Sequence, residues 1–342
     1  MTADGEGTGV TATTAQMTPE DFARLAEEVE AQVRQVIVGQ QTLVRDVLAG
    51  LLAGGHLLLE GVPGLGKTVL VRALARSLSL DFARVQCTPD LMPADIVGTT
   101  VLGDGVAPSF QPGPVFTQLL LADEVNRATP KTQSALLEAM AEGRVTVSGV
   151  TRDLPAPFCV LATQNPIEME GTYPLPEAQL DRFLVKIIVE LPSSEDLVAI
   201  LDRTTGTADA DPRPVAGAPQ LLAAARLVRE VPMAEHVTRH AVDLVQATHR
   251  AKSPAEPVRR YVHHGASPRG AQALVLLAKT AALLAGRLHA GVADVRAVAG
   301  PCLRHRLVLG YEAMAAGVDA DAVIDAVLEA VPAPAAPLRG AG

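Results

Sequence analysis

The sequence predicts an α/β chain: a five-stranded parallel sheet with helices, followed by a small all-helical domain. Three observations lead there. Short apolar runs at 56–60, 82–86, 119–122, 158–162 and 185–189 recur through the first half, with helical stretches between most of them. Buried parallel strands joined by crossovers, in a sheet covered on both faces, read this way. Beyond 191 no further strand pattern appears, only helical periodicity. Between the first apolar run and the helix expected over 69–78 lies a Gly-rich turn that ends in Lys67 and Thr68.

Length and composition agree with that division. The 342 residues suffice for two domains of ordinary size. Apolar residues make up 48% and charged residues 20%, a globular balance. The 29 Lys and Arg against 38 Asp and Glu leave a formal net charge of −9. That balance argues against a surface built to neutralise many phosphates, so nucleic acid is not an expected partner. Cys87, Cys159 and Cys302 lie far apart without CxxC spacing and read as buried, reduced thiols of a cytoplasmic protein. The N-terminus, with Asp4 and Glu6, lacks the basic and apolar regions of a signal peptide. The apolar stretches 47–59 and 271–284 are interrupted by glycines and His56 or by Lys279. Neither reaches the roughly 18–20 residues a membrane helix needs, so no membrane insertion is expected.

Along the chain, 1–17 reads as a disordered tail of Gly, Thr and Ala. Order begins at Thr18 as N-cap, with Pro19 at the first helical position and Asp21 at the third. Phe22, Leu25, Val29 and Val33 then share one helical face. The α/β core is expected over 18–191, a linker over 192–219 whose part from Thr204 to Pro219 is rich in Asp, Pro, Gly and Thr, and the helical domain over 220–331. Its helices are read at 221–230, 236–250, 267–286, 292–309 and 318–331, before a Pro/Ala tail at 332–342.

The chemistry concentrates in the first half. Gly61, Val62, Pro63, Gly64, Leu65, Gly66, Lys67 and Thr68 fit G-x-x-x-x-G-K-T with a strand before and a helix, opening at Val69, behind. Glycines let successive backbone N–H groups point into one concavity, where they bind phosphate oxygens beside a helix N-terminus. Lys67 would reach the β- and γ-phosphates and Thr68 would ligate Mg²⁺. The apolar run at 119–122 ends in Asp123 and Glu124. One carboxylate there suits the magnesium hydration shell, the other a water to be deprotonated. Taken alone, the pair is also what any strand meeting solvent shows. Asn165 ends the next strand and points where a γ-phosphate would sit; before Pro166 it equally suits a turn.

Gly61 to Thr68, the run Asp123 to Arg127, Lys131 to Met140, and above all the block 162–183 (ATQNPIEMEGTYPLPEAQLDRF) resemble the MoxR family of AAA+ ATPases. The resemblance spans about residues 18–331. It implies a P-loop ATPase core with a helix-2 insert and a helical lid, working as a homo-oligomeric, hexameric ring. Nucleotide would lie between core and lid, near the neighbouring subunit. Lys67 and Thr68 then match the Walker A lysine and threonine, Asp123 and Glu124 the Walker B pair, and Asn165 the residue called sensor 1. Arg182 matches the arginine finger that acts in trans, with Arg127 and Arg144 as competing candidates; without the resemblance it is a helix-end arginine paired with Asp181 or Glu177. Arg269 matches sensor 2, reaching the phosphates. Val38 and Gly39 resemble the segment lining the adenine pocket. The stretches 93–116 and 143–154 look like two inserted hairpins.

The resulting expectation is Mg²⁺-dependent ATP hydrolysis that drives chaperone-like remodelling of a client protein complex, often with a partner carrying a von Willebrand factor A domain. A DNA-remodelling motor and a nucleotide-binding scaffold with little turnover are the alternatives. His236 and His240 stand four apart on a helix, a spacing known from zinc sites, but no third ligand follows and they read as solvated. Arg259, Arg260, His263 and His264 form a basic cluster read as a solvated linker or an inter-subunit contact.

Overall fold

The computed structural model describes residues 17–103, 106–167, 171–205 and 211–334. The tail calls lie outside these residues except at 17 and at 332–334. The inserted hairpin expected over 93–116 falls partly outside them, at 104–105.

Helix α1 (Pro19–Val33) starts at a reciprocal cap, in which Thr18 accepts the Asp21 amide and the Asp21 carboxylate accepts the Thr18 amide. Phe22, Leu25, Val29 and Val33 are buried, as their spacing predicts. Helix α2 (Gln41–Leu52) follows, and then the units β1 (Leu57–Glu60), α3 (Lys67–Ser77) and β2 (Phe82–Gln86). An insert folds as α4 (Pro93–Val97) and the antiparallel pair β3 (Gly98–Gly103) and β4 (Val106–Pro112). The chain returns through β5 (Leu119–Asp123), a short 3₁₀ turn at Val125–Arg127, and α5 (Pro130–Glu142). A second hairpin, β6 (Arg144–Val147) and β7 (Val150–Asp153), precedes β8 (Cys159–Gln164), α6 (Glu177–Leu180) and β9 (Val185–Ile188).

The five long-range strands form one parallel sheet in the order β2-β5-β8-β1-β9. β5 is buried along its whole length and β8 at all but its last residue, whereas β2 is an edge strand with alternating exposure. Burial on both faces therefore holds for the middle of the sheet but not for its β2 edge. Register brings Glu60 beside Gln164 and Gln86 beside Asp123, so the carboxyl ends of β1, β2, β5 and β8 meet at one rim. In open parallel sheets that rim is where ligands bind.

Residues 194–204, inside the span read as linker, form α7 (Ser194–Thr204), capped by Ser193. The helical half holds α8 (Ala218–Glu230), α9 (Glu235–Ala247), α10 (Glu256–Tyr261), the short strand β10 (Val262–His264), and α11 (Pro268–Leu284). It ends with α12 (Val292–Ala297), α13 (Ala299–Leu303), β11 (Val308–Leu309), α14 (Tyr311–Ala316) and α15 (Ala320–Ala330). Two expectations change here. The single helix read over 292–309 breaks near Val298 and ends at Leu303, and its last residues pair antiparallel with β10. A three-residue strand between helices leaves too short a pattern to read. His240 is not solvated: it is 2% exposed, packed on α9 with Val237, Ala241 and Leu244. Burial and the Arg296 charge depress its pKa.

The halves share one apolar cluster. Val29, Leu48 and Leu51 from the first belong to the same core as Leu244, Leu274 and Leu283 from the second. No helix among the described residues is long and apolar enough to cross a membrane.

Candidate active site

The Gly-rich turn leaves the middle of the sheet at Glu60. Any side chain at Gly61 would meet the Val189 carbonyl oxygen at 2.8 Å, so the backbone there fits only glycine. Gly64 and Gly66 take φ +84 and +78, the left-handed region, with open space around both. Conformation rather than crowding selects glycine at these two. Helix α3 starts on Gly66 with no side-chain cap. Its first amides are thus available to an anion at the amino end of the helix dipole. Lys67 Nζ donates to the carbonyls of Gly61 and Val62. Burial lowers its pKa, while Asp123, Glu124 and Glu60 oppose that shift.

Pro63, Gly64, Gly66, Lys67, Thr68 and Val69 form one wall of a cavity of ≈ 380 Å³. Arg84, Gln86, Asp123, Glu124, Thr163 and Asn165 form the other. Asp123, at the end of β5, is 9% exposed. Its carboxylate accepts from the Thr163 hydroxyl and from Arg84 Nε and Nη2, at 3.2 and 2.7 Å. Glu124 adopts φ +56, a costly conformation for a non-glycine residue. Its amide donates to Thr163 Oγ1 at 2.8 Å, and its carboxylate accepts from Gln86 Nε2 and Arg127 Nη1, each at 2.9 Å. Asn165 is 4% exposed and lines the cavity, while its Oδ1 accepts the Ile167 amide. Facing the cavity and closing a turn, the two readings of this residue, describe the same side chain.

Val38 and Gly39 do not line this cavity. Gly39, at φ +62, packs on the Asp196 carboxylate of α7, and the adjacent Gln40 donates to the Glu190 carbonyl just beyond β9. They lie at the same rim as Gly61, which itself abuts Val189.

Arg182 and Arg269 both lie away from this chain's own P-loop. The Leu184 amide bonds the His56 carbonyl, which places the 181–184 segment at the amino end of the sheet. The P-loop leaves the carboxyl end, roughly 15 Å away along β1. Arg182 Nη1 donates to the Leu137 carbonyl, and its Nε is buried without a protein partner among the described residues. Arg269 sits 3.8 Å from the Asp181 carboxylate. Arg182, Arg229, Arg269 and Arg306 line one cavity of ≈ 250 Å³. Within this chain Arg269 therefore lies on the Arg182 face, and any phosphates it reaches are not those of its own P-loop. Arg127 is engaged with Glu124, and Arg144 pairs with Glu142 on the exposed hairpin.

Arg84, Gln86, Thr163 and Arg306 were not singled out by sequence. Arg84 and Gln86 alternate at the carboxyl end of the strand beside β5, so the strand register carries a signal for them.

A parallel sheet, a glycine cradle at a helix N-terminus and an acidic pair at the end of β5 in the same sheet define the P-loop ATPase class. The family model described as "ATPase family associated with various cellular activities (AAA)" matches residues 56–185, and the "AAA lid domain" model matches 248–327. "Chaperone MoxR1" of Mycobacterium tuberculosis is 44% identical over 311 residues, covering 89% of this chain and 81% of that protein. "Protein MoxR" of Paracoccus denitrificans is 35% identical over 338 residues, covering 92% and 98%. A crystal structure of a candidate ATPase from Cytophaga hutchinsonii superposes with a TM-score of 0.87 at 38% identity, covering 95% of this chain and all of that one. The chain belongs to the MoxR family of AAA+ ATPases.

Proposed function

We propose that the chain hydrolyses ATP at the cavity between the P-loop and the ends of β5 and β8. The observation that carries this is the convergence of Lys67, Thr68, Asp123, Glu124 and Asn165 on that single cavity. The amides of the Gly64–Gly66 turn and of α3 would hold phosphate oxygens, and Lys67 would exchange its carbonyl partners for the β- and γ-phosphates. Glu124 would take the proton of the attacking water and Asn165 would orient that water. The Thr68 hydroxyl and Asp123 carboxylate are hard oxygen donors on one cavity wall each, a set that fits Mg²⁺. When bound there the ion supplies charge neutralisation on the phosphate oxygens.

Among the described residues, one component is missing from that cavity: a cation opposite Lys67 for the charge growing on the γ-phosphoryl group. Arg84 is there but holds Asp123. Arg182 and Arg269 share the opposite face of the same chain, so neither serves its own P-loop without crossing the sheet. Each fits delivery to the P-loop of the next copy, the geometry of a closed ring, here read as a hexamer. Turnover would then shift lid against core and remodel a client complex, in the chaperone-like manner that the name of the mycobacterial relative states. A von Willebrand factor A domain protein is the proposed partner and the cytoplasm the proposed location, the latter supported by three free, buried cysteines.

The test is Glu124→Gln. The amide keeps the size of the side chain but removes the base, so ATP binding should persist while phosphate release falls to background. Unchanged release would reject Glu124 as the base.

A further inference from the structure

We propose that Arg306, in the lid, is a positioning residue for the arginines that this chain presents to its neighbour. The proposal rests on the reading that Arg182 acts in trans.

Arg306 follows α13 and is 7% exposed. Its Nε donates to Asp181 Oδ1 at 2.9 Å. Its Nη2 donates to the Phe183 carbonyl at 2.6 Å and the Asp181 carbonyl at 3.4 Å. Its Nη1 donates to the Leu184 carbonyl at 3.2 Å and to the carbonyl of Cys302 in the lid. The neighbouring His305 is buried, and its Nε2 donates to the Phe183 carbonyl at 3.1 Å. The other oxygen of Asp181 accepts the Ser267 hydroxyl at 2.8 Å and faces Arg269. Both residues flanking Arg182 are thus fastened to the lid. The guanidinium nitrogens spread over one carboxylate and four carbonyls, a pattern that a planar fork matches and an ammonium does not.

A buried charge held this way resists separation, since breaking one partner leaves the other uncompensated. Asp181 therefore makes Arg182 of the core and Arg269 of the lid one unit. A lid rotation that moves Arg269 moves Arg182 with it, and the neighbour receives both or neither.

Arg306→Lys separates positioning from folding, because it keeps a cation for Asp181 but loses the fork to the carbonyls. Expected are cooperative unfolding, KM for ATP within about twofold of the parent, and kcat lower by about 10–100-fold, the range that small misplacements of catalytic groups produce. Mixing with Glu124→Gln subunits tests direction. Those subunits cannot hydrolyse but present intact arginines, so they should restore turnover at the unaltered P-loop of Arg306→Lys subunits. Arg182→Ala mixed with Glu124→Gln reports the trans reading by itself. Rescue of both variants supports the proposal. Rescue of Arg182→Ala alone, or an Arg306→Lys kcat equal to the parent's, overturns the proposal and leaves the trans reading standing. Rescue of neither overturns the trans reading and the proposal with it. If Arg306→Lys does not fold, Asp181→Asn, which weakens the same hub from the core side, takes its place in the identical assays with the same outcomes.

Discussion

The Thr163 hydroxyl donates a hydrogen bond to the Asp123 carboxylate across the β8–β5 boundary. The same oxygen accepts the Glu124 amide, so one fully buried side chain orients both acidic residues. It also fixes Glu124 in its left-handed conformation, aimed at the cavity rather than along the strand.

Thr163→Val keeps the shape and removes both bonds. The expected cost is about 1–3 kcal/mol of stability, the penalty for leaving a buried acceptor and a buried amide unpaired. Phosphate release should fall by more than that stability loss explains, because Glu124 loses its anchor. Thr163→Ser should retain most of both. Denaturant titration and steady-state turnover of the two variants check this; equal activity in Val and Ser would remove Thr163 from the site.

His56 sets a pH dependence. Its Nδ1 accepts the Val160 amide and its Nε2 donates to the Met140 carbonyl, both at 3.0 Å, which requires the neutral ring. Burial holds its pKa at about 4, against an ordinary value of 6.5. The unfolded chain therefore takes up a proton below about pH 6.5 that the folded chain refuses until about pH 4. Stability is full above that window and declines as pH falls through it, by about 3 kcal/mol from this residue. Buried His305 and His240, also lowered, add in the same direction. Denaturant titrations at pH 7 and pH 5 should show a smaller loss in His56→Gln than in the parent. An identical loss in both would assign the effect to other groups.

Legibility in the sequence followed the range of the interactions. The strands, the glycine turn and the acidic pair are local patterns, and the five runs assemble into the expected parallel sheet. Arg84, Thr163 and Arg306 were silent because each acts through a partner 39 to 125 positions away. An arginine or threonine in such a run looks like any other until the register is known. α7 was absorbed into a linker read from the Leu191-Pro192 break and the Asp-, Pro-, Gly- and Thr-rich stretch at 204–219 behind it, and it buries no residue of its own. His240 was misread because four-residue spacing suggests a shared exposed face, whereas α9 turns that position into the core. The location of Arg269 was silent for another reason: its position in the sequence motif says nothing about which end of the sheet the lid covers.

The most direct measurement is phosphate release per subunit across a range of protein concentrations, with particle mass followed in the same samples. If neighbouring arginines complete each site, specific activity should rise with the fraction of assembled particles and vanish in the monomer. A monomer that hydrolyses ATP at the full specific rate would contradict the trans-arginine account.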